Sequence, residues 1–240
     1  MSQEISLGKK PVRGNSFFAG LCQPPGRIIH PLASHHSAVI ITLFSSQGTL
    51  PENPGPSDLD ALGMYFELRS SHIPQGGEVC LPGGGIHLDE TSEQAVLREW
   101  EEETGIPRNY LDLIGCFGTL VHPAGRIIDI WLAKGPSPSE NLGKPNREVE
   151  ELFTLTLKEL RTARWEHHEL TQLLRDDISA NPIPYNRYDL NKYPRGIWSQ
   201  KGFRVWFVEG LPHLLWGMTA GIVRSFLYKL YGADYFDESW

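Results

Sequence analysis

The sequence predicts an α+β protein built on a mixed β-sheet, because strands and a few helices follow one another without regular βαβ alternation. Three observations carry this. Runs rich in β-branched residues are bounded by Pro, Gly and Asp. One central segment, Thr91 to Gly105, has both helix start and helix stop signals. A segment near the C-terminal end repeats apolar residues at helical spacing.

In chain order, residues 1–30 form an irregular extension, and Ser37 to Phe44 (SAVIITLF) is a buried strand. Ser45 to Gly63 is a loop by its Pro, Gly and Asp content, and Met64 to Arg69 is a second strand. Leu111 to Leu120 and Ile127 to Ala133 are a strand pair joined by a turn around Pro123 to Gly125. After a loop over Gly135 to Asn146, Val149 to Leu157 is a strand, and Lys158 to Trp165 begins helical structure. Asn181 to Gln200 is a polar insert holding Tyr185, Tyr188, Tyr193 and Trp198, and Phe203 to Val208 is the last strand. The expected organisation is one domain over residues 31–233, with loop insertions near 45–63 and 179–202, and a tail over 234–240.

Composition narrows the function. A chain of 240 residues with 40% apolar and 21% charged residues is ordinary globular material. The net charge of -7, with no basic run to offset it, argues against a nucleic-acid partner. It does not exclude an anionic substrate, since a bound divalent ion reverses the local sign. Cys22, Cys80 and Cys116 are too few and scattered for a disulfide framework or a zinc site. The first thirty residues hold no apolar stretch of signal-peptide length, and Asp237 to Trp240 hold no retention signal, so a cytoplasmic protein is expected. His213 to Tyr231 approaches the length of a membrane span. Arg224 and Lys229 would then lie in lipid, at a cost of about 2.5–3.5 kcal/mol each. Leu215, Thr219, Ile222, Val223, Phe226 and Leu230 instead suit a docked helix with one buried face.

The chemistry lies in Leu81 to Ile106, LPGGGIHLDETSEQAVLREWEEETGI. Thr91 and Gln94 have capping-box spacing, and Gly105 suits the left-handed residue that ends a helix. Between them Glu99, Glu102 and Glu103 stand at i, i+3 and i+4 and share one face, while Val96 and Trp100 pin the helix to a core. Like charges at this spacing weaken a helix, so they call for a use. Carboxylates on one face are what a hard divalent cation needs, with water and substrate phosphate completing its shell. Arg98, four residues before Glu102, is placed to orient a carboxylate. Pro82-Gly83-Gly84-Gly85 lets backbone approach closely.

Gly84, five residues, Glu90, seven residues, then Arg98-Glu99-Trp100-Glu101-Glu102-Glu103-Thr104-Gly105-Ile106 resembles the Nudix box. The resemblance implies a loop–helix–loop within an α/β/α sandwich on a mixed sheet. It implies Glu99, Glu102 and Glu103 as ligands to Mg2+ or Mn2+, Glu90 and Arg98 as residues joining loop to helix, and Gly83 and Gly84 as the catalytic loop backbone. The implied reaction is attack by metal-activated water on one phosphorus of a substituted diphosphate. The general base is open between Glu103 and an acid outside the box, with Glu148 ahead of Glu150 and Glu151. A homodimer is among the assemblies the family uses.

A second resemblance concerns substrate. Leu68-Arg69-Ser70, His72, then Gly77 to Gly84 is similar to the signature of coenzyme A pyrophosphatases, LLTxRS followed by an arginine, a glycine and FPGG. It departs from that signature at Glu67 in place of threonine, at Leu81 in place of phenylalanine, and in lacking the second arginine. The substrate implied is coenzyme A or acyl-coenzyme A, with Arg69 on its phosphate. ADP-ribose, NADH or another nucleotide-linked diphosphate is the alternative, with Tyr185, Tyr188 or Trp198 available to stack on adenine. A nucleotide-sensing module that cuts nothing is the alternative of another class; such modules usually lose the metal carboxylates, which are present here.

Overall fold

The computed structural model describes residues 16–22, 35–123, 125–140, 142–174, 184–187 and 199–232. Its centre is strand β1 (His35–Phe44), paired in parallel with β6 (Arg126–Lys134) from His35–Arg126 to Leu43–Lys134. Strand β5 (Asp112–Val121) runs antiparallel to β6 and ends that side of the sheet. On the other side lie β2 (Gly63–Arg69) and β7 (Val149–Thr156), antiparallel to each other. One parallel pair among antiparallel ones makes this the mixed sheet expected.

Both faces of the sheet are covered. Period-two alternation along β1 sends Ala38 and Ile40 to one side and Ile41 and Leu43 to the other. The first side packs on helix α3 (Ser92–Thr104) through Val96 and Trp100. The second packs on helix α5 (Gly217–Tyr231) through Val223, Phe226 and Leu227. Helix, sheet and helix therefore form an α/β/α sandwich. Among the described residues no helix is long and apolar enough to cross a membrane.

Several elements differ from expectation. The 45–63 loop contains a short helix α2 (Pro56–Asp60), opened by Pro56 at its first turn and closed onto the core by Leu59. Helix α4 (Leu157–Thr162) stops at Ala163, whose extended backbone leads into a strand, β8 (Arg164–Leu174). That strand reads as polar sequence, and pairing with β9 (Ser199–Glu209), out to Leu174–Ser199, is what forms it. Ser199 and Gln200 thus belong to β9 rather than to the polar insert. Tyr188, Tyr193 and Trp198 lie outside the described residues, as do the 1–15 and 234–240 segments. Tyr185 is buried, so its ring offers no open platform for a base. The final helix begins at Gly217, not His213, because Leu215–Trp216 first pair with β9 as strand β10.

Candidate active site

β1 and β2 touch only at Leu43–Met64 and Phe44–Gly63 and diverge beyond. Residues 79–85 fill the fork. Strand β3 (Val79–Cys80) pairs with β2, and β4 (Gly83–Gly85) pairs with β1 at Val39, Ala38 and Ser37. Between them the Pro82 carbonyl accepts the Ile40 N–H at 2.9 Å. Gly83 has φ +148°, and a Cβ there would overlap the Ala38 carbonyl and the Val39 backbone. A Cβ on Gly84 would overlap the Glu99 carboxylate. Glycine is thus required twice, once by the sheet and once by the helix.

Helix α3 leaves this loop through its expected start. The Thr91 hydroxyl accepts the Gln94 N–H at 3.2 Å, and the Gln94 side chain accepts the Thr91 N–H at 2.8 Å. Trp100 is fully buried and meets Tyr65 edge to face at 5.3 Å. Gly105 ends the helix at φ +69°, pressed against the backbone of Lys144, and the Asn146 N–H reaches the Glu103 carbonyl at 3.1 Å.

Arg98 joins loop to helix. Its Nη2 and Nε donate to Glu90 at 2.6 and 3.1 Å, and Nη2 also donates to the Gly85 carbonyl at 3.1 Å. Its Nη1 pairs with Glu99 at 2.8 Å and with Glu102 at 3.2 Å. The guanidinium, with help from the His87 N–H, pulls the Glu90 carboxyl down to about 2. Glu102 is the most open of the three helix acids, its side chain 56% exposed.

Glu103 is buried and accepts the Gly83 N–H at 2.8 Å. Burial first, and then the charge of Glu99, push its carboxyl up to about 7, against the pull of Gly83 and Arg69. Beneath it lies Glu67, 1% exposed. Burial, then the neighbouring Glu103, raises the Glu67 carboxyl well above the ordinary range. One Glu67 oxygen has no hydrogen-bond partner among the described residues, and the other faces the Cys80 thiol at 3.8 Å. Sequence reading passed over Glu67 as a departure from a signature. Alternation along β2 is the signal that finds it: Tyr65, Glu67 and Arg69 share the face that meets α3.

Arg69 sits at the end of β2, after a register shift, half-exposed, with Nε on the Pro74 carbonyl at 3.3 Å. Its charge draws down both Glu67 and Glu103. Glu148 is exposed, and its carbonyl accepts the Ser70 N–H at 2.8 Å. Among the described residues its carboxylate bonds to none of the helix acids. Glu151 turns away to His213 at 3.0 Å. The structure thus gathers Arg98, Glu99, Glu102, Glu103, Gly83 and Gly84, holds Arg69 at their edge, and leaves Glu148 outside.

Among the described residues no three His, Cys, Asp or Glu side chains are clustered so as to hold an ion as they stand. Arg98 occupies Glu99 and Glu102, and the Gly83 amide holds Glu103. The donors are nonetheless all carboxylate oxygens, one of them buried and unpartnered on Glu67. Such a donor set fits Mg2+ or Mn2+ and not a soft metal.

A fork-filling loop tied by Glu90 and Arg98 to an acidic helix is the arrangement the box resemblance implies, and the family model agrees. Residues 66–174 match the NUDIX domain, and the chain carries a Nudix domain. Its relatives are Nudix hydrolases. It is 28% identical over 171 residues to the uncharacterized Nudix hydrolase NudL of Escherichia coli O7:K1, covering 70% of this chain and 75% of that one. To NudL of Shigella flexneri serotype 5b it is 27% identical over 203 residues, covering 83% and 85%. Among solved structures, a Nudix hydrolase from M. smegmatis, RenU, is 23% identical, with 52% of this chain and 72% of that chain covered at a TM-score of 0.40.

Proposed function

We propose that this Nudix hydrolase uses Mg2+ or Mn2+ to cut the diphosphate of coenzyme A or an acyl-coenzyme A, giving 3′,5′-ADP and (acyl-)phosphopantetheine. The observation that carries the hydrolase reading is the Arg98 junction, which sets Glu99, Glu102 and Glu103 beside the Gly83–Gly84 backbone. Glu99, Glu102 and Glu103 hold the cation, which when bound lowers the pKa of the attacking water and neutralises charge on the phosphoryl oxygens. Arg98 fixes Glu99 and Glu102 on one side of the helix, so that they need no reorganisation as substrate arrives. Gly83 and Gly84 present backbone without side chains, leaving room for a diphosphate. Arg69, half-exposed at the rim, supplies a guanidinium to a phosphate oxygen. The general base is Glu103 within the helix or Glu148 at the entrance of β7. A glutamine at each position separates them by its effect on the pH dependence of kcat.

Substrate choice follows the β2–β3 turn. It matches the coenzyme A signature at Arg69-Ser70 and at the glycine before Pro82-Gly83-Gly84. Its lack of a second arginine favours a second reading, in which ADP-ribose, NADH or another nucleotide-linked diphosphate is preferred. Incubation with Mg2+ and a panel of coenzyme A, acetyl-coenzyme A, ADP-ribose and NADH, with Glu103→Gln alongside, tests both. Release of 3′,5′-ADP by the wild type alone supports the first reading. A much higher kcat/KM for ADP-ribose or NADH replaces it with the second. No cleavage with either metal would leave a nucleotide-sensing module.

A further inference from the structure

Glu67 has no place in the chemistry so far. It stands on β2 two residues after Tyr65, and Glu103 stands on α3 three residues after Trp100. Tyr65 and Trp100 are in edge-to-face contact, so the next position along each element brings the two carboxyls together. Both are buried, at 1% and 6% exposure. A side chain that only filled this space would be apolar or carry a hydroxyl. A carboxylate with an unpartnered oxygen is instead costly to bury. Arg69 does not pair with it directly, giving its Nε–H to the Pro74 carbonyl.

We propose that Glu67 is a further carboxylate of the cation site, reaching it from the sheet while Glu99, Glu102 and Glu103 reach it from the helix. This rests on the cation reading given above. A divalent ion between Glu103 and Glu67 takes up the unpartnered oxygen and offsets two buried charges at once, which neither Arg69 nor the weak Cys80 thiol does. The ion is then gripped by two different elements, and its position reports the spacing between helix and sheet.

The test is Mn2+ binding to EDTA-stripped protein, followed by electron paramagnetic resonance of the free ion, for wild type, Glu67→Gln, Glu67→Asp and Glu103→Gln. Glutamine keeps the shape of Glu67 and donates a hydrogen to Glu103 as a neutral acid would, but brings no charge. The expected result is at least about ten-fold weaker Mn2+ binding in Glu67→Gln, with the metal-free Tm no lower than wild type and a smaller rise in Tm on adding Mn2+. Glu67→Asp recovers part of the affinity. Equal or tighter binding by Glu67→Gln makes Glu67 a neutral hydrogen donor to Glu103 and overturns the proposal. Should Glu67→Gln not fold, wild-type crystals soaked in Mn2+ decide it. An anomalous peak about 2.1 Å from a Glu67 oxygen supports the proposal, and a peak on Glu103 that leaves Glu67 untouched overturns it. If wild type binds no Mn2+, or Glu103→Gln binds it as wild type does, the cation reading itself fails and Glu67 falls with it.

Discussion

Helices α3 and α5 cover opposite faces of one sheet and are held there by different forces. α5 presents Ala220, Ile222, Val223, Phe226, Leu227, Leu230 and Tyr231 to the larger core cluster. Burial of that kind is strong and has little directional preference. α3 buries Ala95, Val96, Trp100, Glu103 and Thr104, and two of those five are polar. Directional contacts supply what its apolar face does not: the Thr91–Gln94 box, the Arg98–Glu90 pair and the Ser92 hydroxyl on the Trp131 indole at 3.2 Å. A helix placed by burial tolerates small shifts. A helix placed by hydrogen bonds sets its acids within fractions of an ångström, which suits phosphoryl chemistry.

The largest expected effect breaks function on the α3 side alone. Glu102→Gln or Glu103→Gln removes a ligand charge and costs several kcal/mol of transition-state stabilisation, at least about 100-fold in kcat. Thermal unfolding without metal moves little, and near-normal turnover in either variant ends that residue's metal role. The mirror experiment on α5 is Phe226→Ala, which empties a fully buried site and lowers stability by about 3–5 kcal/mol. Chemical denaturation measures the loss, while kcat per folded molecule stays at the wild-type value.

Gly84→Ala sharpens the contrast, because its methyl meets the Glu99 carboxylate and nothing in the α5 core. Mn2+ affinity is expected to fall about 10–100-fold, with Tm nearly unchanged. Thr91→Ala removes the cap of α3 and costs about 1 kcal/mol, seen in urea unfolding. The smallest effect lies near α2 and α4, in acid. Arg161 donates to Asp60 at 2.7 and 3.1 Å and, with Tyr231, holds its carboxyl below the ordinary value. A depressed folded pKa means that stability is complete above the unfolded value, about 3.9, and is lost as pH falls through the folded one. Asp60→Asn is expected to flatten the Tm-against-pH curve below that value, and an unchanged slope rejects the assignment.

The same contrast governs what was legible in the sequence. The box residues, the Thr91 and Gly105 boundaries and the core strands β1, β2, β5, β6 and β7 follow from local signals, namely caps, alternation and β-branched runs. β8 does not, because Glu166, His168 and Glu169 become a strand only through pairing with a segment some thirty residues on. Glu67 was missed for a related reason. Its chemistry depends on what the neighbouring helix places above it, and no spacing within β2 encodes that. Arg98 was legible as a partner of Glu102, whereas its bond to the Gly85 carbonyl depends on the loop's path.

The forked sheet has a consequence for motion. The loop that faces substrate lies in the ladder itself, with Ile40 bonded to Pro82 and Gly83 to Gly85 paired along β1. Its amide protons are therefore expected to exchange with solvent nearly as slowly as those of the central strand, far behind those of the turn at residues 71–77. Opening this loop would mean unzipping β1, so substrate arrives at a fixed floor and any closure must come from chain outside the fork.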